Sequence, residues 1–250
     1  MDQSKRRFRN FVFGALYLSP LRAGPHAVDP RAGSVDIRVI LEDGSDSVVH
    51  IRHTGNASVL DSIVRFVKRL PKNSAIQNNV GDKGSMVAVG VKNWATNSPE
   101  EYAVTKRLNP EFSVAAHHVS NYLRQVLPQV YIAIEDADKI KRGERNYETM
   151  KCGPGSVLVI SKNLGNASHY DYADDLVSFS VWAEDQPGQS RNWFFVMPSL
   201  SYQGSKGVVV RLSHGAAISW DGTKIRHCTS VTKMGEKNNV YGCFFGSCNK

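Results

Sequence analysis

The sequence predicts a mixed, mainly β protein, and three observations carry that reading. The last hundred residues hold the short β-type runs GSVLVISK, LVSFSVWAE, NWFFVMP, GVVVRLSH, AAISW, TKIRHCTSV and VYGCFFG, separated by clusters of Gly, Pro, Asp and Asn. No helical period interrupts them, and one run per eight to fifteen residues is the spacing of a sandwich or barrel. The first 150 residues instead mix helical patterns with a few strands. The expected class is therefore α+β, with residues 35–150 supporting an all-β core in residues 151–250 as one domain, preceded by a basic arm over 1–34.

Taken in order, the arm is punctuated by Pro20, Pro25 and Pro30 and reads as having little regular structure. Its KRRFR–FVFGALYL stretch has the outline of a signal peptide, but the apolar run is only eight residues and lacks a clear cleavage site. A solvated basic arm leading into a first strand is the reading adopted. Val35–Leu41 and Ser47–Arg52 alternate with period two around EDGSD, which predicts a hairpin. Val59, Leu60, Ile63, Val64 and Val67 recur at helical spacing over Ser58–Lys68, ahead of Pro71. MVAVGV (Met86–Val91) predicts a strand. Phe112, Ala115, Ala116, Val119, Tyr122, Leu123 and Val126 predict a second helix, with Asn109 as its cap, Pro110 at its first position and Pro128 just past its end.

Composition excludes several classes. A chain 41% hydrophobic and 22% charged is neither disordered throughout nor fibrous. No apolar run reaches the roughly 18–20 residues of a membrane span. The net charge of +8 favours anionic partners. Cys152, Cys228, Cys243 and Cys248 are too few for a disulfide framework, so free thiols in a reducing, intracellular compartment are expected.

The chemistry concentrates in NLGNASHYDYADD. His169 and Asp171 stand two apart, so on extended backbone an imidazole and a carboxylate share one face. Alone, the pair reads as an exposed turn ion pair beside Asp174 and Asp175. GVVVRLSH adds His214 at the end of a β run, and two histidines with one carboxylate form an open facial metal triad suited to Fe(II). Arg226 follows twelve residues after His214, where a guanidinium fork could grip a carboxylate. In this order and spacing the region resembles the Fe(II)/2-oxoglutarate-dependent oxygenase superfamily, over about residues 150–245.

That resemblance implies a double-stranded β-helix, or jelly-roll, core. It implies iron held by His169, Asp171 and His214, and 2-oxoglutarate anchored by Arg226 with help from Thr229, Ser230 and Asn163. It implies O2 as co-reactant, with ascorbate the alternative cosubstrate, and hydroxylation of a substrate C–H bond. Lys224 competes with Arg226 as anchor if both lie on one strand face. His227 then faces away from Arg226 and reads as structural or substrate-facing. Asn166 is a further polar candidate, and Cys228 stands where one plant-type subfamily has Ser. Trp220 and the NWFFVMP aromatics read as core packing, and His117 and His118 as partly exposed helix residues. His50 and His53, at odd spacing, do not share a strand face.

KRRFR (with Arg6, Arg7 and Arg9) and KIKRGER (Lys139, Lys141, Arg142, Arg145) suggest a polyanion, so a nucleic-acid base is the leading substrate, loosely similar to the TET/JBP class. The alternative from another class is a non-catalytic cupin- or lectin-like binding barrel. Convergence of His169, Asp171 and His214 on one point inside the barrel, with Arg226 about one cosubstrate length away, separates the two.

Overall fold

Strand alternation in the C-terminal half builds two facing sheets. The computed structural model describes residues 25–41, 44–70, 83–93, 100–143, 153–172, 177–190, 192–231 and 238–246. Arg6, Arg7, Arg9, Arg145, Cys152 and Cys248 lie outside them. The strands are β1 (His26–Val28), β2 (Val35–Ile40), β3 (Asp46–His53), β4 (Lys83–Asn93), β5 (Glu100–Glu101), β6 (Val157–Gly165), β7 (Ser178–Glu184), β8 (Trp193–Tyr202), β9 (Ser205–Arg211), β10 (Ala216–Trp220), β11 (Cys228–Val231) and β12 (Val240–Gly246). The helices are α1 (Ala57–Arg69), α2 (Ala103–Val126) and α3 (Pro128–Arg142). The large sheet runs β2-β3-β10-β7-β12-β6-β4-β5 and the small one β1-β9-β8-β11.

Period-two alternation decides which way each strand faces. On β7, Phe179, Val181 and Ala183 join Tyr241, Cys243 and Phe245 of β12 beneath the helices, whose Ile63, Phe66, Phe112, Val119, Leu123 and Ile134 complete that core. The intervening Trp182 faces the small sheet and packs with Ile37, Ile51, Ile218, Trp220, Phe195, Met197 and Val208. The fold is a two-sheet β-sandwich with helices on the outer face of the large sheet. No helix among the described residues is long and apolar enough to cross a membrane.

The hairpin (β2–β3) and α1 form where expected, with the Asn56 side chain accepting from the amides of Ser58 and Val59 at 3.0 and 3.4 Å. Three elements differ. His26–Val28, read as part of an irregular arm, form β1 and pair in parallel with Val208–Val210 of β9. The helix expected to start at Pro110 begins at Ala103 and carries Pro110 inside it, although proline cannot donate to the carbonyl four residues back. Pro128 stands just past the end of α2 as expected, but it also opens α3, a helix the periodicity did not predict, at its first position, where a missing N–H costs nothing.

Candidate metal centre

The segment after β6 is laced to the chain entering β11. Asn166 donates its amide to the Thr229 carbonyl at 3.0 Å, and its side-chain oxygen accepts from the Thr229 amide at 2.7 Å. Further on, His169 and His227 exchange backbone hydrogen bonds of 2.9 and 3.0 Å as an isolated antiparallel bridge. The Asp171 amide donates to the Gly222 carbonyl at 2.8 Å. Gly222 belongs to a turn organised by Asp221, whose Oδ1 accepts from the amides of Thr223 and Lys224 and from the Thr223 hydroxyl at 3.0, 3.1 and 2.7 Å. This turn delivers Ile225 into the sandwich, 1% exposed, and His227, two residues on, follows it inward.

The result is a cluster of His169, Asp171 and His227 whose ligand atoms all lie within 4.8 Å of one another. Asp171 Oδ1 is 3.1 Å from His169 Nε2, and Oδ2 is 3.0 Å from His227 Nε2. The other nitrogen of each ring faces a backbone carbonyl: His169 Nδ1 lies 2.7 Å from the Ala167 oxygen and His227 Nδ1 2.9 Å from the Ile225 oxygen. A carbonyl only accepts, so both Nδ1 atoms are the protonated donors. Both Nε2 atoms are thereby aimed at the carboxylate, the orientation that metal-bound imidazoles take from such partners.

The electrostatics follow. An unprotonated Nε2 about 3 Å from a carboxylate oxygen sets lone pair against lone pair, so a positive charge belongs between them: two imidazolium protons, or one divalent cation that displaces them. Burial pushes the Asp171 carboxyl up, but the hydrogen bonds and charges of His169 and His227 outweigh it and hold it well below the usual carboxylate range. Side-chain exposure falls from 37% at His169 through 23% at Asp171 to 5% at His227, so the cluster opens to solvent on the His169 side. The His227 ring stacks on Phe195 (5.4 Å, 22°) and meets Trp220 edge-on at 5.0 Å. Gly222 makes room here, because a Cβ in its place would lie 3.0 Å from Ser178 Oγ and 3.1 Å from Asp171 Oδ2. Ser178 Oγ and Trp220 Nε1 are buried without a hydrogen-bond partner in the described protein, and both residues border the cluster. A bound, oxygen-bearing ligand would satisfy such groups. The donor set therefore fits Fe(II): two imidazoles, one carboxylate and an open side.

The structure brings His169 and Asp171 together but corrects the third expected member. His214 lies at the Ala216 end of β10, whereas the turn holding Asp171 follows the Trp220 end, roughly 13 Å away along a five-residue strand. His214 is engaged there: its Nδ1 accepts from the Glu184 amide and its own amide donates to Glu184 Oε1, both at 3.0 Å. Burial lowers its pKa, which favours the neutral ring that such acceptance needs.

Arg226 faces away from His227, as the alternation predicts. Thr229 pairs with Phe195, which faces the interior, while Cys228 and Ser230 pair with Val196 and Phe194 of the outer cluster. Arg226 acts electrostatically on Cys228 of that outer side, and its Nη2 donates to the Ser168 carbonyl at 3.4 Å. It therefore does not project with His227 into the sandwich. Lys224 is in the Asp221 turn, with its Nζ on Ser45 Oγ at 3.1 Å, and shares no strand face with Arg226. Ser230 lies on the outer side. Asn163 spends its amide on β12, accepting from the Val240 amide at 2.9 Å and donating to Asn239 Oδ1 at 3.1 Å. Of the expected cosubstrate contacts, Thr229 alone shares the interior face with His227.

His227 is the ligand candidate that the spacing argument missed. The legible signal was Asp221-Gly222-Thr223, a turn sequence that fixes where the strand restarts and makes Ile225 and His227 an inward-facing pair.

No family model matches the chain, and no curated protein matches it. Solved structures do. NgTET1 in complex with 5mC DNA is similar at a TM-score of 0.47 and 11% identity, over 99% of this chain and 91% of that one. An oxidoreductase of the 2OG-Fe(II) oxygenase family from Burkholderia pseudomallei is similar at 0.39 and 13%, over 81% and 87%. JOX2 in complex with 2OG, Fe and JA is similar at 0.40 and 10%, over 80% and 67%. At such identities and scores these are distant likenesses, and the metal centre stands on its own geometry.

Proposed function

We propose that the chain is a non-haem Fe(II)- and 2-oxoglutarate-dependent dioxygenase that hydroxylates a substrate C–H bond, with a nucleic-acid base as the leading substrate. The observation that carries this is the convergence of His169 Nε2, Asp171 and His227 Nε2, with each ring's Nδ1 committed to a carbonyl. On this reading the sandwich is wound as a double-stranded β-helix, and the three residues hold the iron. When bound, Fe(II) with 2-oxoglutarate and O2 supplies the oxidation, releasing succinate and CO2.

The chain's own work is orientation and exclusion of water. The Ala167 and Ile225 carbonyls fix the two ring orientations. Phe195 and Trp220 keep water from the His227 side. Thr229, on the interior face two residues beyond His227, would contact the cosubstrate, together with the indole N–H of Trp220 and the hydroxyl of Ser178.

Anaerobic titration with Fe(II) and 2-oxoglutarate tests the reading. A metal-to-ligand charge-transfer absorption is expected in the wild type. It should be lost in Asp171→Ala, with the far-ultraviolet circular dichroism unchanged. No band in the wild type, or full succinate production by Asp171→Ala, overturns it.

A further inference from the structure

We propose that Tyr172, backed by Tyr170, is a stacking platform on which an unpaired nucleobase of a single-stranded nucleic acid lies beside the candidate metal centre. The proposal rests on the oxygenase reading above and adds to it a contact for the strand that carries the substrate base. In the run His169-Tyr170-Asp171-Tyr172, ligand candidates and tyrosines alternate, so the tyrosines share a side of their own next to the ligands. The tyrosine rings lie 5.2 Å apart between centroids, tilted by only 31°, so they form a stepped pair with one outward face. Tyr172 is 78% exposed, although it directly follows a carboxylate held in the cluster.

The backbone leading to Tyr172 is held. The His169–His227 bridge and the Asp171–Gly222 hydrogen bond fix the residues on either side of Tyr170, the second of them one residue before Tyr172. An exposed ring on a pinned backbone is a surface prepared in advance, which lowers the ordering cost of binding. Stacking on an aromatic face is the sequence-tolerant way to hold a base, and it needs a base free of its partner strand.

Charge selects the polymer over a free planar molecule. The Arg226 guanidinium reaches the Ser168 carbonyl, one residue before His169, so a cation borders the same segment. Lys224 is exposed on the adjoining turn, with its Nζ on Ser45 Oγ at 3.1 Å, and the chain carries a net +8. Bases on the tyrosine pair with phosphates along these cations is the arrangement expected for a single strand.

The test separates bases from phosphates. Fluorescence anisotropy would compare a labelled oligothymidylate with an abasic oligomer of the same length on the full chain. The wild type is expected to prefer the base-bearing strand by about tenfold or more. Tyr172→Ala should remove that preference while leaving abasic binding in place, and Tyr172→Phe should keep it. Equal affinity for the two oligomers, or a preference that survives Tyr172→Ala, overturns the platform. Visible absorption of bound Co(II) on the same samples keeps the two readings apart. Co(II) bound without a base preference sinks the platform alone. A preference that follows Tyr172 in a chain that takes no Co(II) upholds the platform and sinks the oxygenase reading.

Discussion

Glu184 and Asp171 each have histidine neighbours, and they differ in what surrounds the carboxylate. Glu184, 1% exposed, accepts from the amides of Gln189, Ser190 and His214 and from the Asn238 side chain. Its neighbour His214 has its Nδ1 taken by the Glu184 amide. Fixed backbone donors satisfy that carboxylate and leave a cation nothing to bind. Asp171 instead faces two ring nitrogens, each pointed at it by a carbonyl on the far side of the ring. The same residue types make a structural clamp in one place and a candidate cation site in the other. What decides is whether the donors around the carboxylate are backbone amides or titratable rings.

Removing each carboxylate is the strongest way to break that contrast. Glu184→Ala would strand several buried N–H groups, and a loss of roughly 3 kcal/mol or more is expected from urea unfolding. Folded Glu184→Ala should still bind Co(II) as the wild type does. A variant that keeps its stability, or that loses Co(II) affinity while folded, would erase the distinction between the clusters.

Exchanging the histidines gives the next effect. His227→Ala is expected to weaken Co(II) binding by about 100-fold or more, since one of three ligands is lost. His214→Ala should leave it unchanged and cost roughly 1–2 kcal/mol of stability for the orphaned Glu184 amide. The opposite pattern would restore His214 to the metal site.

The smallest effect sharpens the geometry. In Gly222→Ala the new methyl would press on Asp171 Oδ2 and Ser178 Oγ. A loss of Co(II) affinity of about tenfold is expected, as for other disturbances behind a ligand. The urea midpoint should move little. Unchanged metal affinity would mean that Asp171 is not held where the ligand geometry requires.

Particular residues show how much of this was legible in the sequence. The hairpin, α1 and the C-terminal strands declared themselves because each has one buried face and hence a clean period. His169 and Asp171 were legible as a pair for a local reason, the two-residue repeat of extended chain. His214 closes the run GVVVRLSH, whereas His227 stands in the middle of TKIRHCTSV and read as structural or substrate-facing. Choosing between them needed the Asp221 turn, which ends β10 and restarts the chain in register with β8. That register is a tertiary fact, and spacing along the chain does not contain it. The Glu184 clamp was illegible for the same reason, since its donors come from residues 189, 190, 214 and 238.

The backbone bridge between His169 and His227 also bears on the order of assembly. Its two halves are 58 residues apart in the chain, with β7, β8, β9 and β10 between them. Closing so long a loop is costly before the intervening strands have paired, so this contact belongs to the late steps of folding. An ion that needs both imidazoles therefore has no site on the nascent chain. On the proposed reading, loading with iron would then be a separate event that follows maturation of the sandwich.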